Sequence, residues 1–498
     1  MKKTNKCKIL FINPPQTADK SVRQIGLKFP LGFLYMAGIL EKSNFQVKIL
    51  DCPLYYTKKR DINETKVKIG LFPEDIINEI EDFNPDIIGV SCAYTAFEQD
   101  SFEVISLIRF IEKNLNKKFL VVVGGAHSSA NPEFVLRNKE IDLVVIGEGE
   151  LTFLEISKRY SSNKKIDSIK GTALIKNGKF KKNKPQDYIK DLDSLNPAWH
   201  LINIKDYFDH PDNSRATMRK NSVDLITSRG CPGNCVFCSI HTVWGRCWRG
   251  RTAKNVVDEI EMLVKNYGAK QFRFQDDNLT LNKKRIIDIC EEIIKRNIDI
   301  RWDTPNGIAI WTLDSEVLMK MKQAGCYRIT FGVESGSLES QKYVRKIIPE
   351  EKLKELIEDC HKLGMWVCAT FIIGFPFETE KDIEKTKDLI INSKINFPFV
   401  YIAQPYLGTD MYRDFQNAGL LNEIEMTSYI ENTKYNTLNF KKEELNNIRK
   451  DIFKEFYKRR LISYINPITF YKEFLSKINN LEELKYIVKN LNMAIKGI

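Results

Sequence analysis

Short apolar runs alternate with amphipathic stretches of helical spacing in two separate tracts of this chain, and that alternation restricts it to α/β architectures built on parallel sheets. In the first tract Lys8 to Asn13, Gln46 to Asp51, Asp86 to Ser91, Phe119 to Gly124 and Asp142 to Ile146 read as buried strands. Leu31 to Lys42, Pro73 to Phe83 and Phe97 to Leu115 read as the helices between them. The expected fold over residues 1–160 is a doubly wound, Rossmann- or flavodoxin-like domain. Its ligand edge lies beyond the carboxyl ends of the strands, where Asn13-Pro14-Pro15, Ser91 to Thr95, Gly124-Gly125 and Gly147 to Glu150 fall. Residues 161–222 read as a linker with a hairpin at Asn177-Gly178. From Val223 the alternation resumes, with strands at Val223 to Ser228, Gln271 to Gln275, Ile300 to Asp303, Tyr327 to Gly332, Val367 to Ile373 and Val400 to Gln404. Six units predict a partial (β/α)6 barrel over 223–410, followed by a helical region over 411–498 that includes Leu445 to Tyr464 and Leu481 to Ala494.

A chain of 498 residues that is 43% hydrophobic and 29% charged has material for packed cores, which excludes wholesale disorder. No stretch approaches the apolar length of a membrane span, and the run Ile9 to Ile12 stops at Asn13-Pro14-Pro15, too short for a signal-peptide core. A cytoplasmic setting is expected, where thiols stay reduced. The net charge of +12 is spread along the chain. Lys458-Arg459-Arg460 reads as a solvated face, because aromatic stacking residues are not interleaved as in a nucleic-acid groove, so no nucleic-acid partner is expected.

Three of the eleven cysteines crowd into Cys231-Pro-Gly-Asn-Cys235-Val-Phe-Cys238, directly after the first strand of the second tract, where parallel barrels gather their chemistry. Structural zinc sites and ferredoxin clusters take four protein ligands, so three thiolates leave one metal position open. A zinc site borrowing Cys247 or His241 is the competing reading.

The C-x-x-x-C-x-x-C spacing resembles that of the radical S-adenosylmethionine (radical SAM) superfamily. The resemblance implies a four-iron four-sulfur (4Fe-4S) cluster on Cys231, Cys235 and Cys238, with one iron free for S-adenosylmethionine. It also implies cofactor contacts from Phe237, from Asp276 and Asp277 after the second strand, from Glu334 and Ser335 after the fourth, and from Thr370 and Gly374 at the fifth. The implied chemistry is reductive cleavage to methionine and a 5′-deoxyadenosyl radical that abstracts a substrate hydrogen.

The first tract resembles the cobalamin-binding domain of the cobalamin-dependent radical SAM class, and the whole resemblance covers roughly residues 8 to 410. It is carried by Phe29 to Ala37, Pro85 to Ser91, Val123 to His127, Gly147 to Thr152, Leu192 to Trp199 and Pro405 to Thr409. The residues implied to meet cobalamin are Pro30, Leu31, Gly32, Tyr35, Ser91, Thr95, Gly124, Gly125, His127, Gly147, Glu148, Gly149 and Glu150. The Asp-x-His-x-x-Gly motif that supplies an axial histidine in other cobalamin proteins is missing, so none is assumed.

The leading expectation is an anaerobic methyltransferase that moves methyl from methylcobalamin to an unactivated carbon of a small-molecule or peptide substrate, with flavodoxin or ferredoxin as electron donor. A cobalamin-dependent cyclase or rearrangement enzyme shares the pattern. A tRNA methylthiotransferase would need a second cluster on Cys7, Cys52 and Cys92, but Cys7 precedes its strand while the others follow theirs, about 17–20 Å apart across the sheet. A cobalamin-linked sensor would not need the ordered acidic and ribose stations. Trp244, Cys247, Trp248 and Tyr343 are candidate substrate-lining residues.

Overall fold

The computed structural model describes residues 7–20, 27–214, 217–421, 433–478, 480, 481, 483–485 and 488. They form two compact units, Met1–Asn213 with Ile240–Gly245, and Ser214–Ser239 with Arg246–Ile498.

The first unit is built on strands β1 (Lys8–Asn13), β2 (Gln46–Asp51), β3 (Ile87–Ser91), β4 (Leu120–Gly124), β5 (Leu143–Val145), β6 (Thr172–Lys176) and β7 (Lys179–Lys182). Their order across the sheet is β7-β6-β5-β4-β3-β1-β2, parallel from β5 to β2. Alternate residues of these strands face two separate cores, which is why the runs are apolar throughout. Leu10, Ile12, Ile88 and Val90 pack with Ile76 and Ile80 of the helix Pro73–Phe83 and with Val104, Ile105 and Ile108 of the helix Glu98–Leu115. Ile9, Phe11, Ile87 and Val122 pack with Ala37 and Leu40 of the helix Leu31–Lys42 and with Phe153 and Ile156 of the helix Gly149–Ser161. The doubly wound expectation is met.

The expected linker is a different matter. The hairpin at Asn177 and Gly178, both at positive φ as a type I′ turn requires, is present. However, β6 pairs antiparallel with β5 through Val144↔Ala173, so the hairpin completes the first sheet. The chain then stays on that unit: the Ala198 amide donates to the Leu34 carbonyl at 3.0 Å, and Trp199 is buried. The first unit therefore runs to Asn213 rather than ending near residue 160. Local patterning marks strands but not which strands from distant stretches pair.

The second unit holds β8 (Ser222–Leu225), β9 (Gln271–Phe274), β10 (Arg301–Asp303), β11 (Cys326–Glu334), β12 (Trp366–Ile373) and β13 (Phe397–Ile402), all parallel and in sequential order. This is the open (β/α)6 arrangement expected. Four of the intervening helices start on side-chain caps from Thr252, Asn282, Asp314 and Thr379, and the first ends at Gly268 in the left-handed region. The first strand is shorter than expected. Ser228-Arg229 leaves it to pair antiparallel with Arg249-Gly250, a clasp at the base of the cysteine loop.

Beyond residue 410 the regular elements among the described residues are all helical, including Lys442–Ser463 and Pro467–Glu473; most of the expected helix Leu481 to Ala494 lies outside the described residues. From Phe474 onward this region packs at the amino ends of the strands, whereas Leu445 and Asn439 lie against Gly374 and Glu378 at a carboxyl end. Lys477 Nζ donates to Asn396 Oδ1 at 2.6 Å and lies over the Trp366 ring, while Glu483 accepts from Arg301 Nε at 3.0 Å. Among the described residues no helix is long and apolar enough to cross a membrane.

Candidate active site

In the second unit the chemistry-bearing side chains gather beyond the carboxyl ends of β8, β9, β11 and β12. A Cβ added to Gly233 would lie 3.3 Å from Cys231 Sγ and 3.9 Å from Cys235 Sγ, so the two thiols flank an open cradle that a side chain there would fill. The Cys238 amide donates to the Cys235 carbonyl at 3.1 Å, and Arg246 Nη1 holds the Gly233 carbonyl at 2.6 Å. None of the three cysteines is in a disulfide, and all are partly buried. Burial pushes the Cys235 thiol up, against the nearby Lys346 ammonium, which pulls it down. Among the described residues no three His, Cys, Asp or Glu side chains converge on a single ion, whereas a cube-shaped cluster takes one thiolate per iron and asks for a wider arrangement. The donor set fits a cluster.

The two acidic residues after β9 do different jobs. Asp276 is buried, and its carboxylate accepts from the Thr227 amide and hydroxyl and from the Ser228 hydroxyl, which ties the ends of β8 and β9 together. In this structure it acts as a tie between strands. Asp277 accepts one bond, from the Gly230 amide at 3.1 Å next to Cys231, and burial pushes its carboxyl up to about 7.

Glu334 ends β11 with φ at +71°, a left-handed conformation that costs a non-glycine residue about 1–3 kcal/mol and is tolerated where surroundings hold it. Lys346 Nζ donates to its Oε1 at 2.7 Å and Thr370 Oγ1 to its Oε2 at 3.2 Å. Burial works against the charge on Lys346, but Glu334, Cys235 and Cys231 together more than offset it and hold the ammonium above its ordinary range. Sequence reading missed Lys346, because a lone lysine in a connecting segment reads as solvated surface. Ser335 turns the other way: it is wholly buried, sharing its hydroxyl with Thr386 at 2.9 Å and accepting from the Ser337 amide. Gly374, at φ +80°, donates to Glu378 Oε2 at 2.6 Å, and burial raises that carboxyl to about 7. Phe237 packs beside Val236, Val344 and Phe375. Tyr343 is bound to Asp414 at 2.8 Å and Trp248 Nε1 to the Asn278 carbonyl at 2.9 Å, so neither hydrogen-bonding group is open to a substrate.

In the first unit Ser91, Thr95, Gly124, Gly125, His127, Gly147 and Glu148 do come together at the carboxyl ends of β3, β4 and β5. His127 is buried with both ring nitrogens engaged, Nδ1 with Thr95 Oγ1 at 3.0 Å and Nε2 with Glu98 Oε1 at 2.7 Å. Gly125, at φ +129°, passes so close to the Cys92 carbonyl that a Cβ would sit 2.6 Å from it. Glu148 is buried and accepts from the Ile189 amide at 2.8 Å, anchoring the segment that follows the hairpin. Gly149 and the buried Glu150 open the next helix. Gly147 lies against Val243 of the short helix His241–Trp244, which packs on the helix Ala126–Ala130. Trp244 thus sits with the first unit. Pro30 precedes the helix carrying Leu31, Gly32 and Tyr35; Gly32 is exposed, while Leu31 and Tyr35 are buried. At the edge of the sheet Asp51, buried and raised to about 6 by that burial, accepts from Tyr207 at 2.5 Å and Asn13 at 2.7 Å, a cluster sequence reading did not assemble.

Comparison with known proteins agrees with both units. Residues 26–157 match the B12 binding domain and residues 225–390 the radical SAM superfamily. A protein of Pyrococcus horikoshii named as an uncharacterized methyltransferase is 32% identical over 462 residues, 91% of this chain and 93% of that one. Cytidylyl-2-hydroxyethylphosphonate methyltransferase of Streptomyces wedmorensis is 29% identical over 453 residues, 84% of this chain and 83% of its own length. The fold matches the cobalamin-dependent S-adenosylmethionine radical enzyme OxsB, solved with aqua-cobalamin and S-adenosylmethionine, at a TM-score of 0.72 and 19% identity over 99% of this chain and 76% of that one. With a doubly wound unit and a cysteine-cradled (β/α)6 unit joined in one chain, this protein belongs to the cobalamin-dependent radical S-adenosylmethionine enzymes of the methyltransferase-like class.

Proposed function

We propose that the protein is a cytoplasmic methyltransferase acting on an unactivated carbon of a small-molecule or peptide substrate. The observation that carries this reading is the Gly233 cradle between Cys231 and Cys235, on the same chain as a B12-binding fold. Cys231, Cys235 and Cys238 hold the cluster. When bound, S-adenosylmethionine and the cluster supply a 5′-deoxyadenosyl radical and cobalamin carries the methyl group, so the hard chemistry belongs to the cofactors.

The chain's own residues bind, orient and exclude water. Glu334, fixed by Lys346 and Thr370, offers its carboxylate to ribose hydroxyls, which donate to it. Lys346 brings a buried positive charge close to the cysteines, where a negatively charged cluster and the cofactor carboxylate need one. Asp277 faces the cofactor in place of Asp276. Phe237 supplies an apolar wall, and Gly374 admits close backbone approach. In the first unit the loops at Pro30 to Gly32, Ser91, Thr95, Gly124-Gly125 and Gly147 hold the cobalamin. His127, engaged at both nitrogens, would brace Thr95 and Glu98 at the edge of that site. Flavodoxin or ferredoxin delivers electrons to the Lys-rich surface.

The test is anaerobic reconstitution with iron, sulfide and hydroxocobalamin, followed by visible spectra and a reductant-dependent assay for 5′-deoxyadenosine. Absence of bound cobalamin in protein whose cluster has formed would end the methyltransferase reading.

A further inference from the structure

Asn278, two residues beyond Asp276, is 3% exposed, and its Oδ1 has no hydrogen-bond partner. An orphaned buried amide oxygen costs free energy that a folded chain recovers only when a donor arrives. The side chain has little freedom to find one by turning away. Its own carbonyl is held by Trp248 Nε1 at 2.9 Å, the Trp248 ring lies under the Arg285 guanidinium, and Arg285 is tied to the Arg251 and Thr227 carbonyls at 2.6 Å each. The preceding residue, Asp277, is fixed to the Gly230 amide. The other end of the amide is directed at a cluster cysteine: Nδ2 lies 4.0 Å from Cys231 Sγ. A ligating thiolate has no proton to give, so the amide must present Nδ2 to the sulfur, which leaves Oδ1 as the open acceptor.

We propose that Asn278 is a positioning residue that bridges the two cofactors of this unit, with Nδ2 donating to the Cys231 sulfur and Oδ1 accepting from an N–H of the amino group of bound S-adenosylmethionine. This rests on the assignment of the cluster to Cys231, Cys235 and Cys238. A donor to a ligand sulfur withdraws electron density and favours the reduced cluster. Because one planar amide makes both contacts, cofactor binding tightens the contact to the sulfur. Asp276 cannot take this role, since its carboxylate is already bound by Thr227 and Ser228.

Two measurements on the anaerobically reconstituted full chain separate the two ends of the bridge: the cluster midpoint potential by redox titration, and the dissociation constant of S-adenosylmethionine. Asn278→Leu removes both contacts without adding charge. It is expected to shift the potential to more negative values and to weaken S-adenosylmethionine by roughly tenfold, the ordinary effect of leaving a buried donor without its acceptor. Asn278→Asp keeps an acceptor and loses the donor, so its affinity should stay near wild type while its potential still falls. If Asn278→Leu loads no iron, Asn278→Ala deletes the same contacts and carries the comparison. Wild-type potential and affinity in the Leu or Ala variant overturn the bridge, as does an Asp variant that binds as weakly as Leu. Wild-type protein that assembles no cluster fails at an earlier step and overturns the cluster assignment itself.

Discussion

The two ends of the second sheet carry buried charge in opposite ways. At the carboxyl ends Glu334 holds a left-handed backbone, Lys346 is buried next to two cysteines, and Asn278 leaves an acceptor open. At the amino ends Lys477 rests on Asn396 and Trp366, Asn396 Oδ1 also accepts from the Val367 amide at 2.9 Å, and Glu483 is met by Arg301. One end spends stability to keep polar groups ready for something that binds; the other spends its polar groups closing the fold. Parallel barrels divide labour in this sense, chemistry at the carboxyl ends and stability at the amino ends.

That division can be broken by mutation, most severely at the cysteines. Cys235→Ala should abolish iron loading by the motif and 5′-deoxyadenosine formation, while the thermal midpoint of the apoprotein moves little; iron analysis, a deoxyadenosine assay and calorimetry check this together. Lys346→Met leaves Glu334 buried without its cation and should cost about 3–5 kcal/mol of stability. Adding Glu334→Gln should recover much of the midpoint in denaturant but not turnover, which would show that the pair is held for function. At the other end Glu483→Gln should cost about 1–3 kcal/mol through the weakened bond to Arg301, with the dissociation constant of S-adenosylmethionine unchanged. The last effect is one of pH and concerns Lys477, whose ammonium burial lowers to about 7. Between that value and its ordinary 10.5 the unfolded chain binds a proton the folded chain does not, so this group makes stability rise with pH across the window. Lys477→Met should flatten that rise, as seen in unfolding curves taken from pH 7 to 10. A change in S-adenosylmethionine binding on Lys477→Met would contradict the division between the ends.

Both sheets were legible in the sequence because their strands are buried on two faces and read as continuous apolar runs, as at Ile9 to Ile12 and Val121 to Val123. The cysteine loop was legible because its spacing is itself the signal. Pairing across long sequence separations was not: nothing local in Thr172 to Lys176 says that it joins β5, or in Ser228-Arg229 that it pairs with Arg249-Gly250. The site was half legible. Asp276 and Asp277 look alike in sequence, and only the placement of Thr227 and Ser228 separates a tie between strands from an acid held by the Gly230 amide. Lys346 and Asn278 carry no motif. Their roles arise from burial beside cysteines more than forty residues away in sequence, a property of the folded chain rather than of any window of residues.

The excursion of Ile240–Gly245 into the first unit bears on how this protein can be taken apart. A fragment ending at Asn213 would lack the short helix His241–Trp244, leaving the helix Ala126–Ala130 and Gly147 without their cover and Tyr188 without Gly245, against which it packs so closely that a Cβ there would lie 2.5 Å from its hydroxyl. Such a fragment should be prone to aggregate. Supplying residues 240–245 through a short graft is the way to a separable cobalamin module, and the same six residues mark where recombination between related chains would have to keep both parents' halves matched.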